Sequence, residues 1–357
     1  MIPFLIPGKR RSPMATEIFS SPEGYQEQFR SGLDQLLQND RLGAFVLVLA
    51  NATYDETLYQ LLSPHLHQCF EQHAERVTRE LREGCRMNHT EDDLLVFLKL
   101  MALGLDNLKK TRFRNEGHWQ LQYNQLRAFR PPRMSKMVVT ELLAPFDENR
   151  FHFNKPFLRD EMIWEGELLG RHSRLYYNKF PFAPLHALLV MEPERNRPQH
   201  LDQATHEQTW RLLEQIGERL PGTGLGYNSR GAYSSINHLH LQLYSGKQDG
   251  YPIEHPRWQH NGGKDAWPLV VEHYQDMQGA WRFIEELHRR NHAYNLLYRP
   301  GAVYITPRAM QGSYRHSDWT AGFAWAEVAG AITSFCETEY TELNADTIRR
   351  EMLKLRP

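Results

Sequence analysis

Two histidines and a glutamine alternate with leucines at residues 238–243, which read His-Leu-His-Leu-Gln-Leu. Alternate side chains of a strand point to opposite faces, so His238, His240 and Gln242 would share one face and the leucines the other. A neutral imidazole is a good nucleophile near neutral pH. A glutamine amide can donate to a phosphate oxygen but cannot transfer a proton. The pattern therefore predicts a core face of leucines and, behind it, a face that carries catalytic side chains.

The segment just before these histidines is rich in groups that bind anions. Residues 228–235 read Asn-Ser-Arg-Gly-Ala-Tyr-Ser-Ser. Small residues let backbone N–H groups approach an anion closely. A histidine beside such a turn predicts attack on phosphorus and a covalent phospho- or nucleotidyl-histidine. The candidate phosphate- or nucleotide-binding residues of the turn are Asn228, Arg230, Gly231, Ser234 and Ser235.

Other interpretations of the histidine pair stay open. Two histidines on the polar face of a strand also occur on solvated sheet surfaces. Alternating histidines can both reach one zinc ion. A third possibility, from a different functional class, is a nucleotide-binding module that does not turn over its ligand.

The turn and the histidines together resemble a known family. An Asn-x-x-Gly-x-x-x-Ser turn followed by His-x-His-x-Gln is similar to the transferase branch of the histidine-triad superfamily, and above all to the GDP-hexose phosphorylases. The resemblance covers about residues 113–357. It implies that His240 takes the nucleotidyl group, that His238 orients or assists it, and that Gln242 bonds the phosphoryl oxygens. The implied substrates are a nucleoside diphosphate sugar and inorganic phosphate.

The same resemblance implies a second part of the site. Residues 175–191 read as strand, turn and strand, with Phe-Pro and Ala-Pro in the turn. Histidine-triad proteins carry a comparable element beside the active site, which makes Asn178 and Lys179 candidates for nucleotide or phosphate contacts. The resemblance also leaves an alternative substrate, because a dinucleoside polyphosphate phosphorylase or ATP adenylyltransferase would use the same histidine. Arg230 stands where the related GDP-L-galactose enzymes have an apolar residue, so the acceptor could differ.

Composition limits the partners. The net charge is -1, with basic and acidic residues mixed along the chain, so neither nucleic acid nor a membrane surface is an expected partner. No apolar run approaches the length of a membrane helix. Three scattered cysteines suit a reducing cytoplasm. No cofactor is required, although Mg²⁺ could arrive with the substrate phosphates. A homodimer is compatible with the sequence, which does not determine the base, the sugar or the oligomeric state.

The predicted fold class is α+β, with a histidine-triad-like antiparallel sheet. We divide the chain into a flexible extension (1–14), a helical N-terminal region (15–112), a catalytic domain (113–260) and a degenerate second half-domain (261–357). Helices are predicted at 25–37, 56–81, 94–105, 202–220, 277–290 and 323–337, and strands at 138–154, 267–271 and 294–305.

A histidine and cysteine cluster lies in the N-terminal region, whose role the sequence does not reveal. His65, Cys69 and His73 recur at four-residue spacing, which places them on one helix face. They could ligate zinc, or they could line the edge of an ordinary amphipathic helix. No Cys-x-x-Cys pair supports a zinc site, so no metal is predicted.

Overall fold

The computed structural model of the protein describes residues 18–85, 89–131 and 137–357. The predicted flexible extension lies outside these residues. Four helices build the N-terminal third, and three of them begin at a side chain that accepts a backbone N–H, namely Ser21, Asp55 and Thr90. The helices are α1 (Pro22–Leu37), α2 (Leu42–Tyr54), α3 (Glu56–Glu83) and α4 (Glu91–Leu103). The predicted helical N-terminal addition is therefore confirmed.

Helix α2 lies within the region predicted to be helical, but its bounds were not predicted from the sequence. Eleven of its thirteen residues are buried, because the helix runs between α1, α3 and α4. A helix that is apolar on all sides carries no periodic pattern, so its sequence cannot be distinguished from a buried strand.

An eight-stranded antiparallel sheet forms the centre of the molecule, which confirms the α+β class. Its spatial order is β3-β4-β5-β7-β6-β9-β10-β8. Pairing of β6 with β9 makes the sheet continuous across residue 260, where the sequence suggests a domain boundary. The strands are β3 (Met162–Leu168), β4 (Arg171–Tyr177), β5 (Ala187–Met191), β6 (Gly224–Asn228), β7 (Leu241–Tyr244), β8 (Glu272–Tyr274), β9 (Ala293–Arg299) and β10 (Ala302–Arg308).

The two faces of this sheet are covered by different elements. Leu239, Leu241 and Leu243 belong to a large core shared with the N-terminal helices and with helices α6 (Gln203–Gly217) and α7 (Met277–Arg289). The opposite face packs against a smaller core. Its buried residues come in part from β2 (Trp119–Tyr123), α8 (Trp325–Val328), β11 (Ala331–Ser334), α9 (Glu337–Glu342) and α10 (Ala345–Leu353). Strand β1 (Arg112–Glu116) pairs with β2, and the short helix α5 (Gln125–Ala128) places Leu126 in the large core.

Several local predictions are wrong. Residues 138–154 contain no strand, and the strand expected at 267–271 lies a few residues later, as β8. The apolar segment 323–337 is not one helix: it divides into the short helix α8, the strand β11, which pairs with β2, and the first residue of α9. The helices at 202–220 and 277–290 and the hairpin at 294–305 are confirmed. Among the described residues, no helix is both long and apolar enough to cross a membrane.

Candidate active site

His240 lies one residue before β7, in extended chain rather than within the strand itself. The predicted alternation nevertheless continues through it, because Leu239, Leu241 and Leu243 all enter the core. The imidazole is only 5% exposed. Burial lowers the pKa of His240 to about 4, against an ordinary value of 6.5, so the ring is neutral at physiological pH.

A single hydrogen bond fixes which nitrogen of His240 is available for chemistry. Its Nδ1 lies 2.7 Å from the carbonyl oxygen of His238. A carbonyl oxygen can only accept, so Nδ1 carries the proton and donates. The lone pair therefore lies on Nε2, which is the arrangement that a nucleophilic imidazole requires.

His238 contacts His240 through its backbone carbonyl, and its own ring is held by the backbone. Its Nδ1 accepts from the backbone N–H of Phe153 at 3.1 Å. Burial, together with the proximity of His240 and His152, lowers the pKa of His238 to about 4. The predicted role of His238, to orient or assist His240, stays a prediction.

Aromatic side chains from residues 146–157 surround the two histidines. The ring of Phe153 lies 5.1 Å from that of His240, and the ring of Phe146 lies 5.2 Å from that of His238. Phe151 and Phe157 are 45% and 47% exposed. The sequence predicts strands here and indicates no catalytic or binding role for these residues. The density of phenylalanines is a weak signal, because core packing explains it equally well.

Gln242 lies in β7 and is held by Trp325. The indole N–H of Trp325 donates to Gln242 Oε1 at 2.9 Å. Because an indole N–H can only donate, this bond directs the amide NH₂ group of Gln242 elsewhere. Trp325 packs on Gly226, where an added Cβ would lie 2.2 Å from the indole ring. The short helix α8, through Trp325, therefore covers Gln242 on this polar face.

The turn before the histidines is anchored at both ends. Asn228 Oδ1 accepts from the backbone N–H of Trp325 at 2.8 Å and from Asn295 Nδ2 at 2.7 Å. Arg230 donates to the carbonyl oxygen of Glu141, and burial lowers the pKa of its guanidinium. Gly231 has a φ of 84°, and an added Cβ would lie 2.1 Å from Met310 Sδ. Only glycine fits there without strain.

The serines of the turn lie further along the same loop. Ser234 Oγ donates to the carbonyl oxygen of Ile236 at 3.2 Å, and Ser235 is exposed. Tyr233 adopts a left-handed backbone conformation, with a φ of 66°. The guanidinium of Arg308 lies over its ring, 5.1 Å from the centroid. Arg308 is 1% exposed, and its role could not be predicted because it comes from the distant strand β10.

Asn178 and Lys179 face the N-terminal helices. Lys179 Nζ forms an ion pair with Asp93 at 2.5 Å. The backbone carbonyl of Asn178 accepts from Asn51 at 3.1 Å, and its Nδ2 approaches His186 Nε2 at 3.3 Å. Burial lowers the pKa of His186 to about 3, a shift that a hydrogen bond to Gln242 partly opposes. This chain of contacts connects Asn178 to the Gln242 side of the site, whereas contact of Lys179 with a nucleotide stays a prediction.

The histidine and cysteine cluster of α3 has protein partners. His65 pairs with Asp34 at 3.7 Å, Cys69 Sγ lies 3.7 Å from the carbonyl oxygen of Leu37, and His73 is buried. Within residues 18–85, 89–131 and 137–357, no group of three or more histidine, cysteine, aspartate or glutamate side chains could hold a metal ion.

Part of the chain is similar in sequence to known nucleotide-sugar phosphorylases. Residues 100–244 match the family described as GDPGP1-like, N-terminal domain. The chain is 35% identical over 115 residues to GDP-D-glucose phosphorylase 1 of Danio rerio. The matched segment covers 31% of this chain and 32% of that protein. The chain is 35% identical over 123 residues to the Homo sapiens enzyme of that name, covering 32% and 30% of the two chains. GDP-L-galactose phosphorylase 2 of Arabidopsis thaliana is 29% identical over 132 residues, covering 31% and 30%.

These matches span about a third of the length of the relatives. A solved structure, that of the yeast Ap4A phosphorylase Apa2, aligns with a TM-score of 0.49 at 14% identity, covering 76% of this chain and 97% of that one. The matches confirm the resemblance to GDP-hexose phosphorylases that the residues around His240 indicate.

Proposed function

We propose that this protein is a GDP-hexose phosphorylase, which converts a GDP-hexose and inorganic phosphate into GDP and a hexose 1-phosphate through a nucleotidyl-histidine. One observation carries the proposal: His240 is neutral, its Nδ1–H is bound to the carbonyl of His238, and its Nε2 holds the lone pair. The similarity to GDP-D-glucose and GDP-L-galactose phosphorylases supports the choice of substrate class.

In the first step, His240 Nε2 attacks the α-phosphorus of the GDP-hexose. A P–N bond forms, and the bond between the α-phosphorus and the bridging oxygen breaks, so the hexose 1-phosphate leaves with that oxygen. The imidazole then carries the guanylyl group and a positive charge. The carbonyl of His238, bonded to Nδ1–H, stabilises this charge as it develops.

In the second step, inorganic phosphate attacks the same phosphorus. The new P–O bond forms, the P–N bond breaks, and GDP leaves while His240 returns to its neutral state. Two displacements at one phosphorus require a nucleophile that is also a good leaving group, which imidazole is. The low pKa of His240 favours its departure.

The phosphoryl oxygens would be held by groups on both sides of His240. On one side of His240, the backbone amides around Gly231 and the hydroxyls of Ser234 and Ser235 would donate to the phosphoryl oxygens. The NH₂ group of Gln242, oriented by Trp325, donates from the other. Fixed donors of this kind stabilise the charge that accumulates on the oxygens in the transition state.

No resident cofactor is part of the proposal, and Mg²⁺ would enter only with the substrate phosphates. A glutamine amide donates hydrogen bonds but cannot transfer a proton, so Gln242 cannot activate water for attack on the intermediate. The nucleotidyl-histidine would therefore react with phosphate rather than being rapidly hydrolysed. A cytoplasmic location and a homodimer stay predictions.

A phosphorolysis panel tests the proposal. Purified protein would be incubated with phosphate and, in separate reactions, GDP-glucose, GDP-mannose, GDP-galactose, UDP-glucose and diadenosine tetraphosphate, with products separated by chromatography. We expect GDP from at least one GDP-hexose, its formation abolished in His240→Ala and retained in His273→Ala. The second variant is a matched control, because His273 lies on the edge strand β8. Turnover of diadenosine tetraphosphate alone would replace the substrate, and no turnover at all would contradict the proposal.

A further inference from the structure

The pairing between β6 and β7 stops just short of the nucleophile. Gly224, Leu225 and Gly226 of β6 pair in antiparallel register with Tyr244, Leu243 and Gln242 of β7. Continued in that register, the ladder would pair Tyr227 with Leu241 and then Asn228 with His240. Asn228 is the first residue of the phosphate turn, and His240 is the proposed nucleophile. The gap between them therefore lies inside the proposed site.

A glutamine side chain fills this gap. Gln199 is 2% exposed and comes from the connection between β5 and α6. Its Oε1 accepts from the backbone N–H of His240 at 2.9 Å. Its Nε2 donates to the carbonyl oxygens of Asn228 at 3.0 Å and His240 at 3.2 Å. The partners fix the amide orientation, since one is an obligatory donor and two are obligatory acceptors.

The backbone of Gln199 is also fixed. Its N–H donates to Asn237 Oδ1 at 3.0 Å, and its carbonyl oxygen accepts from the hydroxyl of Tyr227 at 3.3 Å. Asn237 in turn donates to the carbonyl oxygen of Pro145 at 2.8 Å. The carboxamide is therefore held from behind by the residue that precedes His238 and by strand β6, and it has little freedom to follow a displaced His240.

We propose that Gln199 is a positioning residue for the nucleophile. Its carboxamide takes the place of the missing ladder bonds and sets the spacing between the backbone of His240 and the end of the phosphate turn at Asn228. A side chain in this gap holds the strands apart while keeping both backbones in place. The inference rests on the proposed function, because it assigns to Gln199 the alignment of His240 Nε2 with a phosphorus held by the turn.

The variant Gln199→Met tests the inference, because methionine has a similar length and can make none of the three bonds. Misplacing a reacting atom by about 1 Å can cost on the order of 100-fold in rate. We expect the turnover number on the GDP-hexose to fall by about 10- to 100-fold, with the KM for that substrate little changed. Gln199→Glu, which keeps the acceptor but loses the donor when ionised, should show a loss of the same kind.

A matched control separates positioning from loss of stability. Gln208 is 5% exposed, and its Nε2 donates to the carbonyl oxygen of Leu168 at 2.8 Å, remote from the histidines. Gln208→Met should lower the melting temperature but leave the turnover number within about twofold of that of the wild type. Equal losses of turnover in Gln199→Met and Gln208→Met, or an unchanged turnover number in Gln199→Met, would overturn the inference.

Nitrogen-15 NMR of the histidine rings tests the same point without turnover. Wild-type His240 should show a protonated Nδ1, and its backbone amide should exchange slowly with solvent because Gln199 Oε1 protects it. In Gln199→Met or Gln199→Glu we expect faster exchange of this amide and a mixture of ring tautomers. Fast exchange in the wild type would overturn the positioning role even if Gln199→Met failed to fold. Absence of wild-type turnover, by contrast, would remove the proposed function while leaving this measurement interpretable.

Discussion

Residue types and spacing predict more about His240 than about the groups that hold it. The alternation of histidine and leucine indicates which side chains share a face, and the structure adds the bond from His240 Nδ1 to the His238 carbonyl. That bond was beyond prediction because it depends on the backbone path before β7, outside the strand. Gln199 could not be predicted either, since nothing in its neighbourhood marks it and the partners of its side chain lie at least 29 residues away in sequence.

Among single residues, Lys179 could have a structural role or contact the substrate, and a substitution separates the two. The ion pair with Asp93 is largely buried, with the two side chains 28% and 12% exposed. Burial raises the pKa of the nearby Glu161 carboxyl, and Lys179 opposes that rise. Lys179→Met would leave Asp93 unpaired, so we expect a loss of about 2 kcal/mol in the free energy of unfolding. The predicted contact with a nucleotide would also raise the KM for the nucleotide sugar, whereas an ion pair with a structural role alone would change that KM by less than about twofold. Urea denaturation and steady-state kinetics measure these two quantities.

The double variant Lys179→Met with Asp93→Asn is the control, because it removes both charges and should recover most of the lost stability. A tenfold or greater rise in KM with unchanged stability would show that Lys179 contacts substrate instead.

Among the elements, those with a regular pattern were predictable. The strands β4, β5, β9 and β10 and the helices α6 and α7 carry turn residues at their ends and one apolar face. The prediction of one helix at 323–337 was wrong because the apolar residues of this segment are buried on every side, against the sheet and against β2. A fully buried short segment shows no period that separates helix from strand. Its role in covering Gln242 depends on packing between distant parts of the chain.

Trp325 in α8 is the element-scale test of how the polar face is organised. Trp325→Phe keeps an aromatic side chain beside Gly226 but removes the indole N–H that donates to Gln242. Loss of one such bond corresponds to about 1 kcal/mol, so the turnover number should fall by about five- to tenfold. Stopped-flow or steady-state assays with saturating GDP-hexose would measure it.

Trp319→Phe is a matched control, because Trp319 is half-buried and packs on Phe323 in the same region. This variant should keep wild-type turnover. Equal turnover of Trp325→Phe and the wild type would show that the indole bond does not orient Gln242 for catalysis.

Across the whole molecule, the N-terminal helices and the sheet share one core. This core contains residues of α1 to α4 together with Leu239, Leu241 and Leu243. Composition and periodicity predict the helices, but they do not predict that the helices close one side of the sheet. Both parts contain buried or partly buried histidines, and burial lowers the pKa of each to between about 3 and 4. They are His73, His186, His238, His240 and His288.

These histidines predict how stability depends on pH. Their folded pKa values lie below the ordinary value of 6.5, so between about pH 6.5 and pH 4 the unfolded chain binds more protons than the folded one. The stability they contribute is fully present above pH 6.5 and is lost as the pH falls towards 4. Each histidine whose folded pKa is about 4 contributes up to roughly 3 kcal/mol, and His186 contributes more. Melting temperatures measured from pH 7.5 to pH 4.5 should fall steeply over this range, and a flat profile would show that the histidines are accessible to protons in the folded state.

The central claim is that His240 carries the nucleotidyl group, and trapping that intermediate tests it most directly. Wild-type protein would be mixed, in the absence of phosphate, with a GDP-hexose that the phosphorolysis panel has identified as a substrate. The protein would then be digested under alkaline conditions and analysed by peptide mass spectrometry. We predict a guanylyl group on His240, release of an equal amount of hexose 1-phosphate, and discharge of the label as GDP when phosphate is added. Turnover without an adduct on His240, or full turnover by His240→Ala, would contradict the account.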